Sequence, residues 1–587
     1  MNPTPAHSRH ARRTLATALL FAIGMAGTGW ADGAPVGAEM PWTTYEAEAM
    51  RTDGAVLGPK YGPFLVEMES SGQRCVKLAG PTESVEFTAA APANALVVRY
   101  SLPDAPEGGG VESSLLLLIN GKAVRTLALT SKYAHLYGTY PFSNDPAQGR
   151  HRNFYDELRV KDLAIAAGDV IRLQRTTSAA PVCFVDLVDL ENVAPPLAAP
   201  AGVLSVREFG ATGNGKTDDT EALKSCLAAA VKQGRPVWVP TGEYKLTGDI
   251  LLPTGATILG AGMWHTTFVG DEKIYGHADR RVRFKLAGSR IRLADFAIVG
   301  RLNYRNDSEP NDGIVGAGCT DSSVERIWVE HTKVGAWIYN GTRLRIEGCR
   351  FRDLLADGVN LCVGANGCVI ENCSARGAGD DCFAIWPVPD DQGFVQERRP
   401  GDNAIRRCTG QLPFLANGGS LYGGANNRIE DCLFTDITPG CGILISTTFQ
   451  TADEAGKVDN NFSGITAVKN CVIVRSGGYD HSWTWRGALQ ICMDRRSIAG
   501  LEVSGVAIRD SLSDAVSVVG PGSAKGQGTL SAARLEKVTI SGVGVGAPDS
   551  HALRVRADAR GGLTLVDSPI ADVKNDSPEF TVSKTEK

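Results

Sequence analysis

The sequence predicts an all-β protein in which a β-sandwich precedes a right-handed parallel β-helix solenoid with an N-terminal capping helix. Three observations carry this expectation. A tetrapeptide recurs at ten places, alternating apolar segments crowd the N-terminal part, and helical periodicity appears at one place, just ahead of the repeats.

Composition sets the outer limits. With 587 residues, 43% of them apolar, 67 glycines and 29 prolines, the chain is globular, turn-rich and long enough for two domains. A net charge of −5 with both signs mixed gives no basic footprint for nucleic acid and no polybasic membrane segment. Arg9, Arg12 and Arg13, an apolar run from Leu15 to Met25 and the small-residue end Gly29-Trp30-Ala31 read as a signal peptide over residues 1–31. That run is too short to span a bilayer. A secreted or periplasmic monomer is expected, exported by the Sec route or, given the paired arginines, the twin-arginine route.

Residues 42–194 are read as the sandwich. Short alternating segments at 95–100, 115–120 and 170–173 are separated by turns such as Asn120-Gly121. Residues 195–202, rich in proline and alanine, follow as a stiff linker.

The solenoid is expected over 203–575, with a tail at 576–587. Thr217-Asp218-Asp219-Thr220 offers side-chain caps to a helix over 221–233, which Gly234 ends, and that helix would cover the open first coil. Beyond it come Ile-Glu-Gly-Cys349, Ile-Glu-Asn-Cys373, Ile-Arg-Arg-Cys408, Ile-Glu-Asp-Cys432 and Val-Lys-Asn-Cys471. Phe296, Ile327, Val506, Val538 and Ser568 take the cysteine slot in five further turns. Slot intervals of 22 to 39 residues mark a fixed strand that accepts insertions. Leucine-rich repeats have similar periods. Here Ile and Val dominate, glycine and asparagine crowd the turns and no helical pattern fills the gaps, which favours a β-helix. Its hand follows the rule for parallel crossovers. The slots imply that most of the fourteen cysteines are inward-facing thiols rather than disulfides.

Asp357 lies eight residues past Cys349, and Asp381 eight past Cys373. The repeat therefore stacks the two acids on adjacent coils, about 4.8 Å apart at the backbone. Asp380 adds a third acid, and Gly377 and Gly379 suggest a bulge or corner that turns both neighbours outward. Stacked like charges raise a pKa, which costs stability and serves general acid and base chemistry. Inverting glycosidases hold acid and base about 6.5–9.5 Å apart, a distance within reach of neighbouring coils. For any one of the three acids, a solvated turn residue is the plain alternative.

Five motifs then resemble glycoside hydrolase family 87, the α-1,3-glucanases and mycodextranases. They are Gly260-Ala-Gly-Met-Trp-His265, His331-Thr-Lys-Val-Gly-Ala-Trp337, Ala356-Asp-Gly-Val-Asn360, Gly379-Asp-Asp381 with Ala384-Ile-Trp386, and Leu412-Pro-Phe-Leu-Ala-Asn417. The resemblance implies a β-helix enzyme that cleaves α-1,3-glucan or nigeran with inversion and needs no catalytic cofactor. It makes Asp380 the general acid, and Asp357 and Asp381 the residues that activate water. Cys382 after Asp381, and Gly440-Cys-Gly-Ile-Leu444 in place of a Gly-Gly-Ile-His segment, depart from the family pattern. Tyr45-Glu46-Ala47-Glu48 with the closing segment 184–190 resembles carbohydrate-binding modules, which implies a structural calcium on Glu46, Glu48 and Asp189. Solvated strand-edge carboxylates are the other reading of those acids.

Candidate sugar contacts are His331, Lys333, Trp337, Trp386, Asn417, Tyr422, Trp483 and Trp485, with core packing as the plain reading of each aromatic. Two alternatives remain. One is another β-helix polysaccharide enzyme, polygalacturonase-like or a lyase using Lys333 or an arginine as base. The other is a non-catalytic carbohydrate-binding solenoid.

Overall fold

The structure, a computed structural model, describes residues 36–140, 142–176, 180–271, 281–387, 398–449, 461–480, 484–521 and 528–586. The leader read over 1–31 and Trp483 lie outside the described residues. Among the described residues no helix is long and apolar enough to cross a membrane.

The N-terminal part consists of two antiparallel sheets around one apolar core. In the six-stranded sheet, Cys183–Glu191 pairs with Ala95–Ser101, Cys75–Leu78 and Trp42–Glu46. In the five-stranded sheet, Glu112–Ile119 turns into Lys122–Thr130 through Asn120 and Gly121, whose φ of 51° and 75° suit a tight hairpin.

The rest is a parallel β-helix built from a 25-stranded and a 12-stranded sheet. One coil shows the rule: Arg345–Glu347, a corner at Gly348 and the slot Cys349, Arg350–Arg352, a turn carrying Asp357, then Val359–Cys362 on the second sheet. The residue before the cysteine slot is left-handed in all ten repeats, with φ between 46° and 66°. Seven of the ten are glycine, asparagine or aspartate, the residues that adopt this conformation most readily. The tetrapeptide is thus a strand end, a one-residue corner and an inward slot.

The slot itself has a hydrogen-bonding role. The N–H of Ile327 donates to Cys349 Sγ, that of Cys349 to Cys373 Sγ and that of Cys408 to Cys432 Sγ, each at 3.4 Å. Val538 N–H donates likewise to Ser568 Oγ at 3.0 Å. All fourteen cysteines are free and buried, so the side chain of one coil satisfies a backbone donor of the coil before it.

The helix Thr220–Gln233 closes the first coil with Leu223, Cys226, Leu227 and Ala230, one apolar stripe at helical spacing, and ends at Gly234. Its capping differs from expectation. Asp218 accepts the Thr220 N–H at 3.0 Å, whereas Asp219 makes no cap bond and binds the N–H groups of Thr212 and Gly213 instead. The segment read as a linker is also tied down, since Leu197 donates to the Ala261 carbonyl and His265 Nε2 meets the Ala194 carbonyl.

Sandwich and helix share a polar and aromatic interface. Arg350 makes a two-pronged pair with Glu191, both contacts at 2.8 Å, and Arg376 bridges Glu157 and Asp189. Trp264, from the Gly260–His265 motif, donates to Glu191 and packs edge-on against Trp328. Arg376 stands opposite Arg352 of the coil before, and Glu157 of the sandwich faces both. Without the sandwich carboxylates they would be stacked like charges, and breaking such a buried pair costs about 3–5 kcal/mol. The sandwich is therefore bound to the second strand of the coil, beside the turn that carries the acids.

Candidate active site

Val359 stands opposite Phe383 in the second sheet. Asp357 and Asp381, each two residues ahead of its strand, therefore occupy one row, and the Gly358 N–H donates to the Asp381 carbonyl at 2.9 Å. Asn417 is next in the row, its carbonyl accepting the Cys382 N–H. Asp380 joins them from the corner before. There Gly379 lies so close to the Leu355 carbonyl that a Cβ would stand 2.2 Å from its oxygen, so only glycine fits. One carboxylate oxygen each of Asp357, Asp380 and Asp381 lies within 4.8 Å of the other two. The two coils follow each other with no insertion between them, as the spacing of Cys349 and Cys373 predicts.

Asp357 and Asp381 are 7% and 3% exposed and form the floor, while the Asp380 side chain is 26% exposed and faces the opening. Burial, then the charges of Asp380 and Asp381, hold the Asp357 carboxyl well above the usual range. Burial and Asp380 push Asp381 up to about 7, against the hydrogen bonds it accepts from the Asn417 N–H, Asn417 Nδ2 and the Tyr422 hydroxyl. Two ionised carboxylates at this spacing repel by about 3.5 kcal/mol at an effective dielectric of 20. Asp357 and Asp381 therefore keep their protons to higher pH than ordinary aspartates do.

A buried arginine that the sequence did not single out holds the third acid. Arg305 Nη2 donates to Asp380 Oδ2 at 2.8 Å, and Arg305 Nη1 to the carbonyls of Leu355 and Gly379. Its Nε binds Asp307, and Tyr140 of the sandwich stacks over the guanidinium at 4.7 Å while its hydroxyl donates to Asp307. Leu136 and Phe142, beside Tyr140, pack on Leu302, Leu355 and Phe414, so the sandwich forms one wall of the site. The only sequence signal for Arg305 is its place in an insertion between strands Arg292–Val299 and Ile314–Ala317.

The other sequence candidates divide by position. Asn417 and Tyr422 are spent on Asp381, and Asn417 Oδ1 also accepts the Cys441 N–H. Trp337 and Trp386 are half-buried, 5.7 Å apart on the outer face of the second sheet, and their indole N–H groups have no acceptor. Lys333 is turned inward. Its ammonium donates to the carbonyls of Asp307 and Glu309 and so braces the loop that carries Arg305. His331 faces the sandwich, bonded to Asp156 at 2.8 Å and stacked on Tyr133. Burial alone would depress its pKa, yet Asp156 holds it up to about 9, so His331 is an interface cation rather than a sugar contact. Trp485 lies on a later coil, edge-on to Tyr479. Cys382, the departure beside the acids, points into the core.

The calcium acids are not gathered as expected. Asp189 is taken by Arg376 and Thr44, on the register pair Thr44 and Asp189, and Asp186 instead shares the field of Glu46 and Glu48. Burial first, then Asp186, raises Glu46 well above its usual range and Glu48 to about 7. Glu46 Oε2, Glu48 Oε2 and Gln73 Oε1 are buried oxygens without a hydrogen-bond partner. Arg99 pairs with Asp186 and Arg475 with Asp436, while Glu46 and Glu48 make no ion pair among the described residues, Glu48 feeling only the more distant charge of Arg74. An all-oxygen, net-negative set of this kind suits a hard cation.

Family models for the α-1,3-glucanase catalytic domain match the chain twice, domain D1 over residues 39–193 and domain D2 over 215–579. Among solved structures, the Agl-KA catalytic domain superposes with a TM-score of 0.83 at 23% identity, over 95% of this chain and all of that one. A GH87 α-1,3-glucanase catalytic domain in complex with nigerose gives 0.78 at 25% identity, over 93% and 98%. The catalytic unit of a thermostable GH87 α-1,3-glucanase from Streptomyces thermodiastaticus strain HF3-3 gives 0.76 at 27%, over 94% and 97%. Further GH87 structures at 25% identity carry alanine for one of three aspartates, the second and third 23 and 24 residues after the first. Asp380 and Asp381 follow Asp357 at the same intervals. Among curated relatives, the pre-neck appendage protein of Bacillus phage B103 is 25% identical over 185 residues, 30% of this chain. The chain spans 20% of that protein's length.

Replacing Asp357 with asparagine tests the crowding. A carboxyl whose pKa is raised in the folded chain weakens the fold as pH climbs past its unfolded value, and the uncharged variant escapes that loss. Asp357→Asn is expected to melt higher than the native chain at pH 8, with the gap closing towards pH 4. A variant that melts lower at pH 8 would contradict the crowded-triad electrostatics.

Proposed function

The chain belongs to the α-1,3-glucanase family, glycoside hydrolase family 87, and on that premise we propose that it is a secreted enzyme hydrolysing α-1,3-glucan or nigeran with inversion. The observation that carries the reading is the triad: three carboxyls with one oxygen each within 4.8 Å of the others, one at the opening and two on the floor. Asp380, the most exposed, protonates the glycosidic oxygen. Asp357 and Asp381 seat and deprotonate the water. Because the nearest oxygens lie within 4.8 Å, that water sits beside the acid against both floor carboxyls, not in a gap between two of them. Arg305 fixes the Asp380 carboxyl in place through one oxygen and leaves the other to the substrate. Trp337 and Trp386, both half-buried, offer ring faces for glucose.

A lyase reading finds neither base free, since Lys333 donates to the carbonyls of Asp307 and Glu309 and Arg305 is held as a cation by Asp380 and Asp307. Asp380→Asn is expected to lower release of reducing sugar from α-1,3-glucan by at least about a thousandfold while binding persists. Turnover within a few-fold of native would remove Asp380 from the acid role, and an ultraviolet-absorbing unsaturated product would indicate a lyase.

For the sandwich we propose a structural calcium held by Glu46 and Glu48 with Gln73 Oε1, rather than by Asp189. Saturating calcium is expected to raise the melting temperature, chelation to lower it, and Glu46→Gln with Glu48→Gln to abolish the difference. A melting temperature indifferent to calcium in the native chain would discard the site.

A further inference from the structure

The outer face of the second sheet does not end at the triad. Trp337, Asn360, Ala384, Ser420, Leu444, Gln490, Ser517 and Arg554 form one row, each opposite the next on successive strands. Asn360 touches Asp357 at the head of this row. Three coils beyond Ala384, about 14 Å at the strand spacing, the row enters a cavity of about 790 Å³. Trp485, Gln490, Ser517, Arg486, Arg554 and Arg556 line it.

Two features give the cavity a ligand chemistry. Gln490 is 1% exposed, its Oε1 accepts the Gly487 N–H, and its Nε2 has no partner, so a buried donor at the floor awaits an acceptor. The three arginines are each neutralised: Arg486 by Asp480, Arg554 by Asp576, Arg556 by Asp514. Among the described residues that line it, a phosphate or uronate would find no free positive charge. A neutral polyol would find fixed donors and acceptors and, in Trp485, an aromatic face.

We propose that this cavity is a distal subsite for the same neutral glucan chain, several sugar units from the bond that is cut and on the same face as the triad. The proposal rests on the glucanase reading. A distal hold on the polymer keeps the chain on the enzyme between cleavages and favours long substrates over short ones.

The test uses the full chain carrying Asp380→Asn, so that binding is read without cleavage. Trp485→Ala and Gln490→Ala, each added to it, are expected to weaken binding to α-1,3-glucan polymer at least about tenfold more than binding to an α-1,3-linked tetrasaccharide. Trp485→Phe should retain most of the polymer binding, which separates loss of a sugar contact from loss of fold. Equal effects on polymer and tetrasaccharide, or none on either, would overturn the proposal. If the chain without these substitutions bound the polymer through Trp485 yet released no sugar, the hydrolase reading would fail and the distal site would stand.

Discussion

The stacking of one coil on the next, in register and with no insertion between the coils at Cys349 and Cys373, is the constraint on which the site depends. It places Asp357 and Asp381 in one row at the strand spacing and leaves the chain no freedom to separate them. The ten left-handed corners and the side chains that accept the slot N–H groups keep that register. Their repetition makes the helix stiff where the chemistry needs fixed distances. The electrostatic strain of three crowded acids is borne by this scaffold and offset in part by one buried guanidinium, Arg305.

The sandwich is part of the site rather than an attached module. Its Glu157, Asp189 and Glu191 neutralise Arg376 and Arg350 of the helix, its Asp156 holds His331, and its Tyr140 covers Arg305. A chain of contacts thus runs from the sandwich through Tyr140 and Arg305 to Asp380. The match of residues 39–193 to a catalytic domain D1 agrees with this.

Where a function repeats along the chain, sequence made it visible. The tetrapeptide predicted the repeated strand and its inward slot, and the interval between Cys349 and Cys373 predicted that Asp357 and Asp381 are neighbours. Contacts between distant segments left no such trace. Arg305 lies in a non-repeating insertion and Tyr140 in the other domain, so only folding brings them to Asp380. His331 and Trp264 stand in family motifs yet serve the interface, because a motif records what must be kept without saying which face needs it. Asp189 was placed one strand turn away from its partners: the bulge between Val185 and Leu187 sends Asp186 towards Glu46 and Glu48.

The central claim is that a triad this compact still cleaves with inversion, the water lying against Asp357 and Asp381 rather than a carboxylate attacking the sugar. Acid groups only about 5–5.5 Å apart otherwise favour a covalent intermediate and retention. Proton NMR of the first products from an α-1,3-linked tetrasaccharide decides between them. The account predicts that the new reducing end appears first as the β-anomer and then mutarotates. An α-anomer at the earliest times would contradict it and make one of the floor aspartates a nucleophile.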